Sequence, residues 1–360
     1  MSRPKVRDDV AMMEGYHSPQ LDVSIRLNTN EAPQPPPPEF TRRLAEAIGS
    51  IEWHRYPSRS ASALRARIAE VEVVEADQVF AANGSNEVLQ TVLLTYGGPG
   101  RTALTFEPTY ALHSHLSRIA GTAVVEGERT DEFELDLDVV ETLIARHRPA
   151  VTFLCSPNNP TGRFESEATI RRVLELVEAV DGLLIVDEAY GQFAPWSAKE
   201  LLSEDRNLVV TRTYSKTWSM AAARLGYALA PSWLVAELDK VVLPYHLDAS
   251  KQIAGLLALD YLDDMSARVA ALVEERGRVQ SALADLDVDQ WESGANFILF
   301  RPRHRSGAQV WQDLVDRSIL VRNCASWPRL DDCLRLTLGT AEENTAFLDA
   351  LAEILETPTP

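Results

Sequence analysis

From about residue 84 onward, short apolar runs recur at 102–106, 150–155, 183–186 and 207–211, mostly separated by stretches with helical spacing of their apolar positions. Continuous apolar strands alternating with helices predict a largely parallel sheet with both faces covered. A helix opens at Gly84-Ser85, and residues 231–241 and about 250–285 read as helices, the second long enough to bridge two domains. After Gly294 the texture changes. Short strands at 297–301, 318–322 and 333–338, with helices at 307–317 and 341–355, predict a smaller α/β domain. The tract Pro33-Gln34-Pro35-Pro36-Pro37-Pro38 breaks regular structure and separates an N-terminal arm from a helical pattern beginning near Glu39. The expected organisation is an arm over 1–45 packing on the small domain, a large domain over 46–285 closed by an interdomain helix, and a small domain over 286–360.

Composition narrows the class. The chain has 360 residues, 45% hydrophobic and 24% charged, and no apolar run nears the roughly 18 residues of a membrane span. Met1-Ser2-Arg3-Pro4-Lys5 is followed by Asp8, Asp9 and Glu14 and not by an apolar leader, so a cytoplasmic protein is expected. A net charge of −18 argues against a phosphate-neutralising nucleic-acid binder and against attraction to anionic lipid. Cys155, Cys324 and Cys333 lie in no metal-ligand spacing. His113 and His115, two apart in a helical segment, point to different sides, so a structural role and no metal are expected. Arg301-Pro302-Arg303-His304-Arg305 reads as a solvated turn.

In open α/β sheets, ligands bind beyond the carboxyl ends of the strands, so the polar residues that follow each apolar run carry the chemistry. Run 150–155 ends in Ser156-Pro157-Asn158-Asn159-Pro160-Thr161-Gly162, run 183–186 in Asp187-Glu188-Ala189-Tyr190, and run 207–211 leads into Thr213-Tyr214-Ser215-Lys216. Singly these are a turn, a helix cap and a surface lysine. Together they match what pyridoxal phosphate requires: an amine to join its aldehyde, a carboxylate to keep its pyridine nitrogen protonated, and a phenol and an amide for its 3-oxygen. The phosphate needs a cradle. Asn83-Gly84-Ser85-Asn86-Glu87 opens a helix whose free N–H groups favour an anion, and Arg224, with Thr213 and Ser215, adds a guanidinium and hydroxyls. Lys216 is one of only five lysines in the chain.

The ordered segments Leu27 to Glu31, Arg55-Tyr56-Pro57, Gly84 to Glu87, Phe106 to Tyr110, Ser156 to Gly162, Asp187 to Tyr190, Ser215-Lys216, Leu243 to His246, Ala295 to Phe297 and Leu334 to Gly339 resemble the class I/II aminotransferases of fold type I. Within them the chain is most similar to the histidinol-phosphate branch. The resemblance spans almost the whole length. It implies a seven-stranded, mostly parallel sheet in a large domain that binds pyridoxal 5′-phosphate, beside a smaller α/β domain. It further implies that Lys216 carries the cofactor and shuttles the proton, Asp187 pairs with the ring nitrogen, Tyr190 and Asn159 hold the 3-oxygen, and Tyr110 stacks on the ring. Tyr56 resembles a tyrosine that reaches the neighbouring subunit's cofactor phosphate, which implies a homodimer.

For the substrate, Arg335 and Thr337 share one face of strand 333–338, and Arg322 closes the run Ile319-Leu320-Val321. By the resemblance, Arg322 and Arg335 with the arm residues Tyr16 and Asn30 contact the amino donor, whose phosphate suits a fork of arginines, and 2-oxoglutarate is the acceptor. An aromatic amino-acid transaminase, or a decarboxylase of a phosphorylated amino acid, would share every cofactor residue. The pocket around Tyr16, Arg322, Trp327 and Arg335 distinguishes them.

Overall fold

The computed structural model describes residues 3–11, 13, 15 and 21–356. Its strands are β1 (Ile25–Leu27), β2 (Val79–Ala82), β3 (Thr102–Glu107), β4 (Ala123–Glu128), β5 (Val151–Cys155), β6 (Leu183–Asp187), β7 (Leu208–Thr213), β8 (Gly226–Leu229), β9 (Val288–Gln290), β10 (Phe297–Pro302), β11 (Ile319–Asn323) and β12 (Leu334–Thr337). Seven of them form one sheet in the order β2-β8-β7-β6-β5-β3-β4, where only β8 runs antiparallel to its neighbours. Strands β5, β6 and β7 are buried throughout, as their largely apolar, Val-, Leu- and Ile-rich runs require when helices cover both faces. Helix Glu167–Glu178 shows the local logic. The Ser166 hydroxyl caps it by accepting from the Thr169 N–H, and Ile170, Val173, Leu174 and Val177 make one buried stripe.

Three of the seven strands are absent from the apolar-run pattern. β2 (Val-Phe-Ala-Ala) and β8 (Gly-Tyr-Ala-Leu) are four residues long and rich in small side chains, and β4 is an edge strand with several exposed positions.

The second sheet, β1-β11-β12-β10-β9, is antiparallel apart from the parallel pairing of β1 with β11. The arm therefore contributes a strand to the small domain, while helix Pro38–Gly49 sends Phe40 into the large-domain core. The helix expected over about 250–285 is two helices, Ala249–Ala258 and Leu262–Ala284, joined by a 3₁₀ turn at Leu259–Tyr261. Its apolar spacing runs on through the turn, which hides the break. The first half buries Ala254, Leu257 and Ala258 in the large-domain core, and the second buries Val279 and Leu283 in the small one. The basic stretch 301–305 is not a solvated turn at its start. Arg301 is the last residue but one of β10, where antiparallel register sets it opposite Asp289 of β9, and Arg303 just past the strand pairs with the same carboxylate. No helix among the described residues is long and apolar enough to cross a membrane.

Candidate active site

Parallel register aligns Cys155 with Asp187 and Asp187 with Thr211, so the polar ends of β5, β6 and β7 meet at one edge. The Asp187 carboxylate is almost wholly buried. Its Oδ1 accepts from the Thr211 hydroxyl at 3.0 Å and the Ala189 N–H at 3.1 Å, and its Oδ2 lies 3.0 Å from His113 Nε2. His113 belongs to helix Leu112–Ile119 and stacks on Phe153 at 4.7 Å. The structural role expected for His113 is thus a role in the site, as the partner that neutral, buried surroundings demand for a carboxylate. Helical spacing alone does not say which strand end a side chain meets.

Lys216 stands on the loop after β7, partly buried, and its amine donates to the Thr29 carbonyl at 3.0 Å, 5.8 Å over the Tyr190 ring. Burial, reinforced by the positive charge of Arg335, pushes its pKa down to about 7. Tyr190 is buried, its hydroxyl pushed up to about 12 chiefly by that burial, and it accepts from Asn30 Nδ2 at 2.9 Å. Asn30 adopts a left-handed φ of 55° and is pinned to β12 by two 2.9 Å bonds with the Thr337 hydroxyl.

The candidate phosphate site lies at the start of helix Gly84–Tyr96. Asn83 makes no side-chain cap to the first turn, and its amide is turned to the Glu87 carboxylate at 2.8 Å, which leaves the helix's leading N–H groups for another acceptor. Gly84 has a φ of 78°, and a Cβ there would sit 3.2 Å from Arg224 Nη2. Arg224 Nη1 donates to the Ser215 hydroxyl at 3.2 Å, and Thr213 donates to the same oxygen at 3.0 Å. Gly226, not singled out by its sequence context, lets β8 pass against the helix start: a Cβ on it would fall 2.4 Å from the Ser85 nitrogen. The Tyr110 hydroxyl donates to Asn86 Oδ1 at 3.3 Å, which sets its ring beside this cradle.

Arg335 reaches the same edge from β12. It is buried, donates to the Asn159 side-chain oxygen and, at 3.0 Å, to the Asn28 carbonyl, and leaves the Asn159 NH₂ facing elsewhere. Arg322 is its register partner on β11 and lines a cavity of about 230 Å³ with Asn28, Asn323 and Ser326. A larger cavity of about 420 Å³ adjoins Lys216, between residues 32–34 and helix Leu262–Ala284. Tyr56 is apart from this cluster, 80% exposed and stacked on Tyr245 at 4.5 Å. Tyr16 lies outside the described residues. Trp218 stacks on Tyr214 within the large-domain core and does not line these cavities.

A sequence profile of the aminotransferase class I and II family matches residues 22–351. The chain belongs to the aminotransferase class I and II family. It is 41% identical to a histidinol-phosphate aminotransferase of Mycobacterium marinum over 98% of this chain and 93% of the relative. It is 42% identical to one from Frankia casuarinae over 97% and 90%. Among solved structures, the histidinol-phosphate aminotransferase of Sinorhizobium meliloti in complex with pyridoxal-5′-phosphate superposes with a TM-score of 0.88 at 20% identity, covering 98% of each chain, and so shares the fold. As a member of the aminotransferase class I and II family, the protein is a pyridoxal-phosphate-dependent aminotransferase. Its residues fit that cofactor. Gly84 leaves room for the Arg224 guanidinium beside the helix start, Gly226 lets β8 pack against that start, a buried carboxylate is held on two sides, and an amine with a depressed pKa lies at the same edge.

Proposed function

We propose that this enzyme moves the amino group of histidinol phosphate to 2-oxoglutarate, forming imidazole acetol phosphate and glutamate in histidine biosynthesis. The observation that carries the reading is the pair of guanidiniums, Arg322 and Arg335, side by side on β11 and β12 next to a small cavity, in a chain whose charge of −18 would otherwise repel a phosphorylated donor. The relatives at 41 and 42% identity support it.

In this reading Gly84, Ser85, Asn86, Thr213, Ser215 and Arg224 hold the cofactor's phosphate, Asp187 its ring nitrogen, Tyr190 and Asn159 its 3-oxygen, and Tyr110 covers the ring. When bound, the cofactor supplies an electron sink for the pair left behind as the donor's Cα gives up its proton. Lys216 Nζ takes that proton and returns it. An amine with a pKa of about 7 is matched to both halves of the task near neutral pH. The Tyr190 hydroxyl, held protonated by burial, is a donor and not a base. His113 and Thr211 hold Asp187 in place, and Asn30 fastens Tyr190 to the small domain. Arg322 and Arg335, with Tyr16 and Asn30, receive the donor, and the acceptor's carboxylate uses the same arginines in the second half-reaction.

We further infer a cytoplasmic homodimer in which Tyr56 serves the neighbouring subunit's site. Trp53, Tyr56 and Leu243 are each at least 69% exposed and form apolar surface for a second copy to cover.

The test compares kcat/KM for histidinol phosphate and phenylalanine in wild type and Arg322→Ala. Removing one arginine from a desolvated phosphate contact should cost at least about 2 kcal/mol, roughly 30-fold, for histidinol phosphate only. A wild type that prefers phenylalanine and a variant that keeps that activity would replace this reading with an aromatic transaminase.

A further inference from the structure

Trp327 sits in the loop between β11 and β12, midway between the two substrate arginines in the chain. An indole there could form an aromatic wall for a neutral substrate, but both its ring and its nitrogen are already engaged. The Arg322 guanidinium lies 5.2 Å over the ring, and the indole N–H donates to the Thr109 carbonyl of the large domain at 3.0 Å.

Thr109 is itself fixed. Its hydroxyl donates to Asn158 Oδ1 at 2.7 Å, Asn158 donates back to the Pro108 carbonyl at 3.0 Å, and the adjacent Asn159 accepts from Arg335. Arg335 and Arg322 are register partners on neighbouring strands. These contacts, with the Asn158-Asn159 peptide link and the register of β11 on β12, close a ring: Arg322, Trp327, Thr109, Asn158, Asn159, Arg335 and back to Arg322. Each arginine belongs to the small domain, and each is referenced to one of two large-domain segments, around Thr109 and at Asn158-Asn159, that are bonded to each other. Arg329 of the same loop adds a second anchor by donating to the Arg129 carbonyl and pairing with Asp131.

From this we infer that Trp327 is a positioning residue for donor specificity: its ring braces Arg322 so that the two guanidiniums keep a fixed spacing from each other and from Asn159, which suits a donor with a terminal dianion. The inference rests on Arg322 contacting the donor, as proposed above. Trp327 touches neither cofactor nor donor in this role. Its loss should raise KM for an anionic donor and leave kcat and cofactor affinity nearly unchanged.

Steady-state kinetics of the holoenzyme test this with Trp327→Ala, Trp327→Phe, Arg322→Ala and the Trp327→Ala/Arg322→Ala double variant, each with histidinol phosphate and with glutamate. Trp327→Ala should raise the KM of histidinol phosphate on the order of tenfold with kcat within about threefold. Trp327→Phe, which restores a ring, should recover most of the loss. On the Arg322→Ala background, Trp327→Ala should add nothing. The inference is overturned if Trp327→Ala leaves KM unchanged, if kcat falls in place of a KM rise, if phenylalanine does not rescue, or if the two losses are additive. Wild type that shows no preference for histidinol phosphate sinks the substrate reading alone. The cycle read with glutamate then still decides whether Trp327 acts through Arg322.

Discussion

Gly226→Ala is a one-carbon change in a strand, yet the geometry makes it a direct probe of the anion cradle. The added Cβ would lie 2.4 Å from the Ser85 nitrogen, 2.6 Å from the Gly84 carbonyl carbon and 2.9 Å from the Arg212 oxygen. All three are backbone atoms, so no side chain can swing aside. Restoring an ordinary contact of about 3.5 Å requires the start of helix Gly84–Tyr96 to retreat from β8 by about 1 Å. Overpacking of this kind costs about 1–3 kcal/mol of stability. The larger effect falls on the ligand, because the displaced N–H groups are those proposed to face the cofactor phosphate. Losing one or two charge-assisted hydrogen bonds at about 1.5–3 kcal/mol each weakens binding by at least about tenfold. The assay is titration of the apoprotein with pyridoxal phosphate, alongside urea unfolding of the same variant. Gly277→Ala is the control: nothing lies within 4 Å of its Cβ, and it sits inside helix Leu262–Ala284, so it should be neutral or stabilising by up to about 1 kcal/mol. A Gly226→Ala protein with wild-type cofactor affinity and unfolding midpoint would refute the assignment of the cradle.

Four further outcomes are expected. The rate at which apoprotein captures pyridoxal phosphate depends on neutral Lys216 amine, so it should rise with pH to a plateau with a midpoint near 7; a rate still climbing steeply above pH 9 would contradict the depressed pKa. The same shift has a stability sign. Between about pH 7 and the ordinary 10.5 the unfolded chain holds a proton on this lysine that the fold lacks, so its contribution to apoprotein stability increases with pH across that window. His113→Phe keeps the stacking on Phe153 but removes a partner of the buried Asp187 carboxylate, and it should lower kcat/KM by about 5–150-fold through a cost of about 1–3 kcal/mol; an effect under twofold would show that Thr211 and Ala189 suffice. Sedimentation at micromolar concentration should give twice the 39.9 kDa chain mass, and Tyr56→Ala mixed with Lys216→Ala should regain partial activity, whereas a fully active 39.9 kDa species would rule out shared sites.

The central strands were legible because a parallel sheet covered on both faces leaves continuous apolar runs, and the residues just past those runs make up the candidate site. β2, β4 and β8 left no such trace, since two are short and small-residued and one is an edge. Asp187, Lys216 and Asn159 could be found from their place after strands. His113 could not, because a helix presents side chains on all sides and only the packed structure shows that this one meets the end of β6. Gly226 carries no side chain to notice, and its importance lies in what would collide with one. Trp327 invites an aromatic-substrate reading from sequence, and only the contacts to Arg322 and Thr109 show that its ring and nitrogen are committed.

The central claim, a transaminase whose chemistry runs through one lysine, is tested most directly by reducing the holoenzyme with borohydride and mapping the fixed cofactor by peptide mass. The account predicts a single labelled peptide, the one containing Lys216, and loss of both label and turnover in Lys216→Ala. Label on Lys5, Lys199, Lys240 or Lys251, or undiminished transamination by Lys216→Ala, would contradict it.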